Sequence, residues 1–168
     1  MDAISTIGYE GADLNSFILT LKEAGVDAVL DVREFPLSRK AGFSKSSLRI
    51  ALAEAGIGYH HEKSLGSPKI IRNRLKQDKN YLAFFQDFET HLDTQRPLLK
   101  ELAQSLRGSV ALLCYERDPA QCHRSSVARV LAEIVGGMPR HLGVNEQSLS
   151  KKKNLYSRQS LSTVQQAI

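Results

Sequence analysis

The fold class follows from residues 3–33, AISTIGYEGADLNSFILTLKEAGVDAVLDVR, which divide into three blocks of different period. Ala3-Ile4-Ser5-Thr6-Ile7-Gly8 is short and rich in β-branched residues, and it runs into the polar, glycine-containing Gly8-Tyr9-Glu10-Gly11, the pattern of a strand entering a loop. Leu14, Phe17, Ile18 and Leu21 then recur at the three-and-four spacing of one helical face, with Asp13 as N-cap and Gly25 as stop. Val26 to Val32 reads as a second, mostly buried strand that carries Asp31-Val32-Arg33 at its end. Strand, helix and strand within about thirty residues make a βαβ unit, whose right-handed crossover sets the two strands parallel.

Outward from this unit, Glu34 to Phe43 holds Pro36 and Gly42 among charged residues and is expected to be a loop. Ser44 is placed to cap a helix bearing Leu48, Ile50, Ala51, Leu52 and Ala55, and a short strand is expected at Ile57–His60. Lys63 to Asn80 is the least regular stretch; a loop, a short helix around Ile70–Leu75 and a lid are all open readings. Tyr81–Leu92 and Pro97–Leu106 have helical spacing. Val110-Ala111-Leu112-Leu113-Cys114 is a continuous apolar run, as in a central parallel strand covered on both faces. Asp118-Pro119 reads as an N-cap and first helical position, opening a helix with Val127, Val130, Leu131, Ile134 and Val135 on its face and Gly136-Gly137 at its end. Arg140–Val144 is a final short strand. The expectation is a single α/β domain over residues 1–144, with a small, mostly parallel sheet flanked by helices, and a basic, flexible tail over 145–168.

A chain of 168 residues with 42% hydrophobic content matches one domain with a real core. It has neither an apolar run of membrane-spanning length nor a signal-peptide layout, so a soluble, cytoplasmic protein with no membrane partner is expected. Two cysteines, Cys114 and Cys122, make no disulfide framework. The net charge of +5 is local: six basic residues stand against two acidic ones from His60 to Asn80, and four against one from Asn145 onward. Such clusters fit either a solvated surface or a nucleic-acid footprint.

Ligands of open α/β sheets bind beyond the carboxyl ends of the strands. That rule gathers Tyr9, Glu10 and Gly11 after the first strand with Asp31, Arg33 and Arg39 after the second, and with Cys114, Glu116, Cys122, His123, Arg124 and Ser125 after the apolar strand. Arg33, Arg39 and Arg124 are candidate anion ligands, because a guanidinium fork matches phosphate or carboxylate. A helix opening near Asp118 offers backbone donors around His123 and Ser125, and Tyr9 and Gly11 complete the ligand-binding set. Glu10, Asp31, Glu116, Cys122 and His123 are the candidate catalytic residues. A first-turn position beside His123 and Arg124 would lower the Cys122 pKa toward a thiolate nucleophile, whereas packing as a small hydrophobe is the plain alternative. Cys122 and Arg129 are one residue too far apart for the cysteine-phosphatase loop. Cys114, Cys122, His123 and His141 contain no Cys-x-x-Cys or His-x-x-x-His pair, so no metal site is expected. In a strand, His60 and His61 would point to opposite faces, so at most one enters a given pocket.

The run of Thr6-Ile7-Gly8-Tyr9-Glu10-Gly11, Asp31-Val32-Arg33 with Pro36, Ser38-Arg39 and Gly42-Phe43, Gly58-Tyr59 with Leu65-Gly66, and Leu113-Cys114-Tyr115-Glu116 with Cys122-His123-Arg124 resembles the family called domain of unknown function 488. The resemblance runs from about Ile4 to Leu142 and implies a Rossmann-like three-layer α/β domain; it brings no assigned chemistry or cofactor. The residues themselves lead to a strand-end pocket for an anionic ligand, a nucleotide or nucleic-acid phosphate, with hydrolysis or group transfer as the reaction class. Two other readings stay open: a non-catalytic nucleic-acid-binding module using Lys63–Lys79 and the lysine tail, and a thiol enzyme centred on Cys122. Cofactor and oligomeric state are left open.

Overall fold

A computed structural model describes residues 1–144, in which five parallel strands form one sheet of order β3-β2-β4-β1-β5. In chain order these are β1 (Ala3–Gly8), α1 (Leu14–Glu23), β2 (Ala28–Asp31), α2 (Lys45–Glu54), β3 (Gly58–His61), α3 (Lys69–Asp78), α4 (Tyr81–Asp93), α5 (Arg96–Ser105), β4 (Ser109–Cys114), α6 (Arg124–Val135) and β5 (Arg140–Leu142). The sheet is all parallel and helices cover both faces, so the fold is a three-layer α/β sandwich. The expected tail lies outside the described residues.

The apolar run of β4 explains its central place. Val110 and Leu112 point to the face covered by α4, α5 and α6, while Ala111 and Leu113 point to the face covered by α1 and α2, so both sets of side chains are buried. β1 and β2 are parallel as expected but not adjacent, because β4 lies between them. From β1 the chain crosses to one side of the sheet and from β4 to the other, which makes the carboxyl ends of these neighbours the switch point where such folds bind ligands. Among the described residues, no helix is long and apolar enough to cross a membrane.

Local signals are met with two changes. Asp13 caps α1 by accepting the Ser16 N–H at 2.9 Å and the Ser16 hydroxyl at 2.7 Å. Ser44 occupies the N-cap position of α2, yet its hydroxyl donates to Ser38 O at 3.0 Å and tightens the loop instead. The irregular connector forms a 3-10 turn at Lys63–Leu65 and then α3. Asp118-Pro119 opens only a 3-10 turn at Pro119–Gln121; α6 begins five residues later, at Arg124. The break arises because the Asp118 side chain accepts from Ala120 N and the chain then extends at Cys122 (φ −133°, ψ 132°).

Candidate active site

The three strand-end segments meet. Glu10 N–H donates to Tyr115 O at 2.9 Å, and Val32 N–H donates to Leu113 O at 3.1 Å, tying the residues after β1, β2 and β4 together. Gly8 permits the closest approach: a β-carbon there would lie 1.9 Å from Glu116 O. Above this seam opens a cavity of about 420 Å³, within the size range of small-molecule sites. Tyr9 and Tyr115 line it from the sheet, Arg39 and Lys40 from the loop after β2, and Ser67 and Phe84 from the opposite side.

Beneath the cavity is a buried ionic cluster. Asp31, fully enclosed, accepts from Arg33 Nη2 at 2.5 Å and Nε at 2.8 Å, from Arg33 N at 3.1 Å, and from the Tyr59 hydroxyl at 2.7 Å. Arg33 Nη1 donates to the Tyr9 hydroxyl at 3.0 Å and to Phe43 O at 2.9 Å. Burial opposes the Arg33 charge, but the hydrogen bonds and charge of Asp31 outweigh it and hold the guanidinium above its ordinary pKa. Burial and donation to the ionised Asp31 push the Tyr59 phenol up as well. The Tyr9 ring is fixed by stacking on Phe43, with centroids 4.4 Å apart. Arg33 is therefore a strut that sets the cavity floor: Asp31, Tyr9 and Phe43 engage four of its five side-chain N–H groups.

Several sequence-predicted residues fall elsewhere. Arg124, 1% exposed, turns inward and donates to Glu116 O at 2.6 Å and Arg117 O at 3.2 Å, so it shapes the loop after β4 and does not line the cavity. The Ser125 hydroxyl donates to Pro119 O and its N–H to Cys122 O, so both Ser125 donors are already used, and Ser125 does not line the cavity. Glu10 accepts from Arg117 N at 3.0 Å and borders a small neighbouring hollow. Cys122 lies before the first turn of α6, and burial pushes its thiol well above the ordinary value, the reverse of the expected activation. Neither His60 nor His61 reaches the cavity; His61 Nε2 bonds Arg33 O at 3.0 Å. Tyr9, Gly11, Arg33, Arg39, Cys114, Glu116 and His123 do line it.

Sequence reasoning missed Ser67, Arg72 and Phe84. Ser67 and Arg72 come from the irregular connector, which folds over the cavity and is anchored by an ion pair between Arg72 and Glu34. The Gly66-Ser67-Pro68 break was the available signal, since a β-carbon at Gly66 would lie 2.3 Å from Glu34 N. Ser67 Oγ and Arg72 Nε are buried without a hydrogen-bond partner among the described residues.

At the cavity floor, Glu116 Oε2 stands 3.1 Å from Cys114 Sγ, and His123 Nδ1 lies 3.9 Å from the same sulfur. Burial would raise the Glu116 pKa, but bonds from the thiols of Cys122 and Cys114 and from its own backbone bring it below the usual value. The His123 ring packs edge-on against Phe88 and its Nε2 meets Val32 O at 2.9 Å.

No curated protein and no solved structure matches the chain. A family model does, over residues 13–131, a span that starts after the Tyr9–Gly11 loop and takes in the Asp31–Arg33 segment and the cysteine-bearing turn. The chain accordingly belongs to the family described as domain of unknown function DUF488.

Proposed function

We propose that the strand-end cavity binds a small, acceptor-rich anionic ligand of nucleotide class. The observation that carries this reading is the pair of buried, unpartnered donors on cavity-lining residues, Ser67 Oγ and Arg72 Nε. Buried polar groups are nearly always hydrogen-bonded, and each one left unpaired costs about 1–3 kcal/mol, so these donors favour a ligand that brings acceptors. Charge supports the same polarity. Arg33 is paired with Asp31 and Arg72 with Glu34, while Arg39 and Lys40 make no ion pair among the described residues. The aromatic walls of Tyr9, Tyr115 and Phe84 suit a flat ring beside the anionic group. Hydrolysis or group transfer is the reaction class, with the Glu116 carboxylate at the floor as proton acceptor.

The test is a thermal-shift panel of phosphate, sulfate, nucleotides, sugar phosphates and short oligonucleotides on the parent chain and on Arg39→Ala/Lys40→Ala. At 100 times its Kd a ligand adds about 2.7 kcal/mol of stability, which for a chain of this size raises Tm by about 5 °C or more. The parent should show that shift and the double variant should lose most of it. No stabilisation by any anion, or equal stabilisation of both proteins, refutes the reading. Stabilisation by oligonucleotides alone, untouched by the double substitution, transfers the function to the basic surface.

A further inference from the structure

We propose that Cys114, Cys122 and His123 form a binding site for a zinc-type divalent cation, with the fourth position open toward the cavity beside Glu116. One donor atom from each of the first three lies within 4.8 Å of the other two. The spacing along the chain hid this. Cys114 ends β4, and the turn through Pro119–Gln121 folds back so that Cys122 and His123 return to it. Arg124 fixes that turn by binding the carbonyls of Glu116 and Arg117.

The three donors are near enough to close on one ion with modest side-chain shifts. With metal–sulfur bonds of about 2.3 Å and metal–nitrogen or metal–oxygen bonds of about 2.1 Å, neighbouring donors stand about 3.6 Å apart. Cys114 Sγ stands 3.9 Å from His123 Nδ1, close to that value, and no two of the three donors are more than 4.8 Å apart. The histidine is also oriented as a ligand. Its Nε2 faces Val32 O, which only an N–H can satisfy, and this leaves the Nδ1 lone pair directed at Cys114 Sγ. A backbone carbonyl on the far nitrogen is the usual outer partner of a metal-bound histidine. Two sulfurs and one imidazole select a borderline-soft ion over magnesium or calcium. All three inner residues are buried, yet Cys114, Glu116 and His123 line the cavity, so the fourth position is reachable from it.

The site shares the cavity with the proposed anion but does not depend on that reading. The reduced, chelator-treated 168-residue chain is titrated with Co²⁺ and followed by absorption. One equivalent per chain should produce tetrahedral d–d bands and a thiolate-to-cobalt charge-transfer band, both removed by Zn²⁺. Because the chain has only two cysteines, any such band belongs to Cys114 and Cys122. Cys122→Ala and His123→Ala should each weaken cobalt binding by more than about 100-fold, since even outer partners of metal ligands are worth about 10–100-fold. Cobalt bound without a thiolate band, no binding to the parent protein, or unchanged affinity in Cys122→Ala overturns the proposal. The parent spectrum decides the matter even where a variant fails to fold. Arg39→Ala/Lys40→Ala should keep the cobalt band while losing the anion-induced thermal shift, so either signal can fail without the other.

Discussion

Arg33→Met tests whether Arg33 is a strut or a free anion ligand. The substitution keeps most of the side-chain volume and removes both guanidinium bonds to Asp31, leaving that carboxylate, at 0% exposure, with only the Arg33 N–H and the Tyr59 hydroxyl. Breaking a buried pair from one side costs about 3–5 kcal/mol, because a desolvated charge is left without its counter-ion. The Tyr9 hydroxyl and Phe43 O lose a donor in the same step, which places the expected loss at the upper part of that range. With an m-value of about 2 kcal/mol/M in urea, the unfolding midpoint should fall by about 2 M. Removing the charge as well, in Asp31→Asn/Arg33→Met, should return at least about 2 kcal/mol relative to Arg33→Met, a coupling that a double-mutant cycle measures directly. A single variant within about 1 kcal/mol of the parent, or a double variant whose loss equals the sum of the two singles, refutes the strut assignment. The result also bears on any binding assay, since a ligand lost in an Arg33 variant would report a collapsed floor and not a missing contact.

Gly8→Ala drives a β-carbon into Glu116 O and should destabilise the chain by more than about 4 kcal/mol, whereas Gly25→Ala, with φ at 67° and open space around it, should cost only about 1–2 kcal/mol. Thermal melts of the two variants check this, and a Gly8→Ala melt close to that of the parent contradicts the packing described. Asp13→Ala removes the α1 cap and should cost about 1 kcal/mol at neutral pH. Bonds from the side chain and backbone of Ser16 hold the Asp13 carboxyl below its ordinary value, so its stabilisation is complete above the ordinary carboxylate range and fades as pH falls through the folded value. Parent and variant should converge in acid; a gap that stays constant down to low pH refutes the cap.

How far the sequence discloses this molecule depends on the range of the signal. Helix faces such as Leu14-Phe17-Leu21 and the apolar run of β4 are local periodicities, and they place the layers and the central strand without knowledge of distant contacts. The strand-end rule likewise brings Tyr9, Arg33 and Glu116 to one place. What it leaves open is the direction of each side chain. Arg33 and Arg124 look alike as cations in a sequence, yet one is locked by a carboxylate two residues away and the other by carbonyls of a turn. Cys122 shows the same limit: one helical turn too many in the expected start of α6 gives it a helix-end environment, and the 3-10 turn removes it. That the connector covers the cavity stayed one of several open readings, because Gly66 packs on Glu34 and Arg72 pairs with it, contacts with a residue more than thirty positions earlier.

The strand order carries a consequence for how the chain reaches this state. Among the described residues β1 pairs only with β4 and β5, and Ala3 lies opposite Ser109, so β1 has no partner in the sheet until more than a hundred further residues have followed it. β2 and β3 can pair early, but no ladder of hydrogen bonds links them to β1 before β4 inserts between the two halves. Closing so long a loop carries a large entropic cost ahead of any reward, and it marks β4 insertion as the slow, committing step of folding. Until then the β-branched edge of β1 is open to pairing with other chains, and Val110–Cys114 is the segment whose arrival ends that exposure.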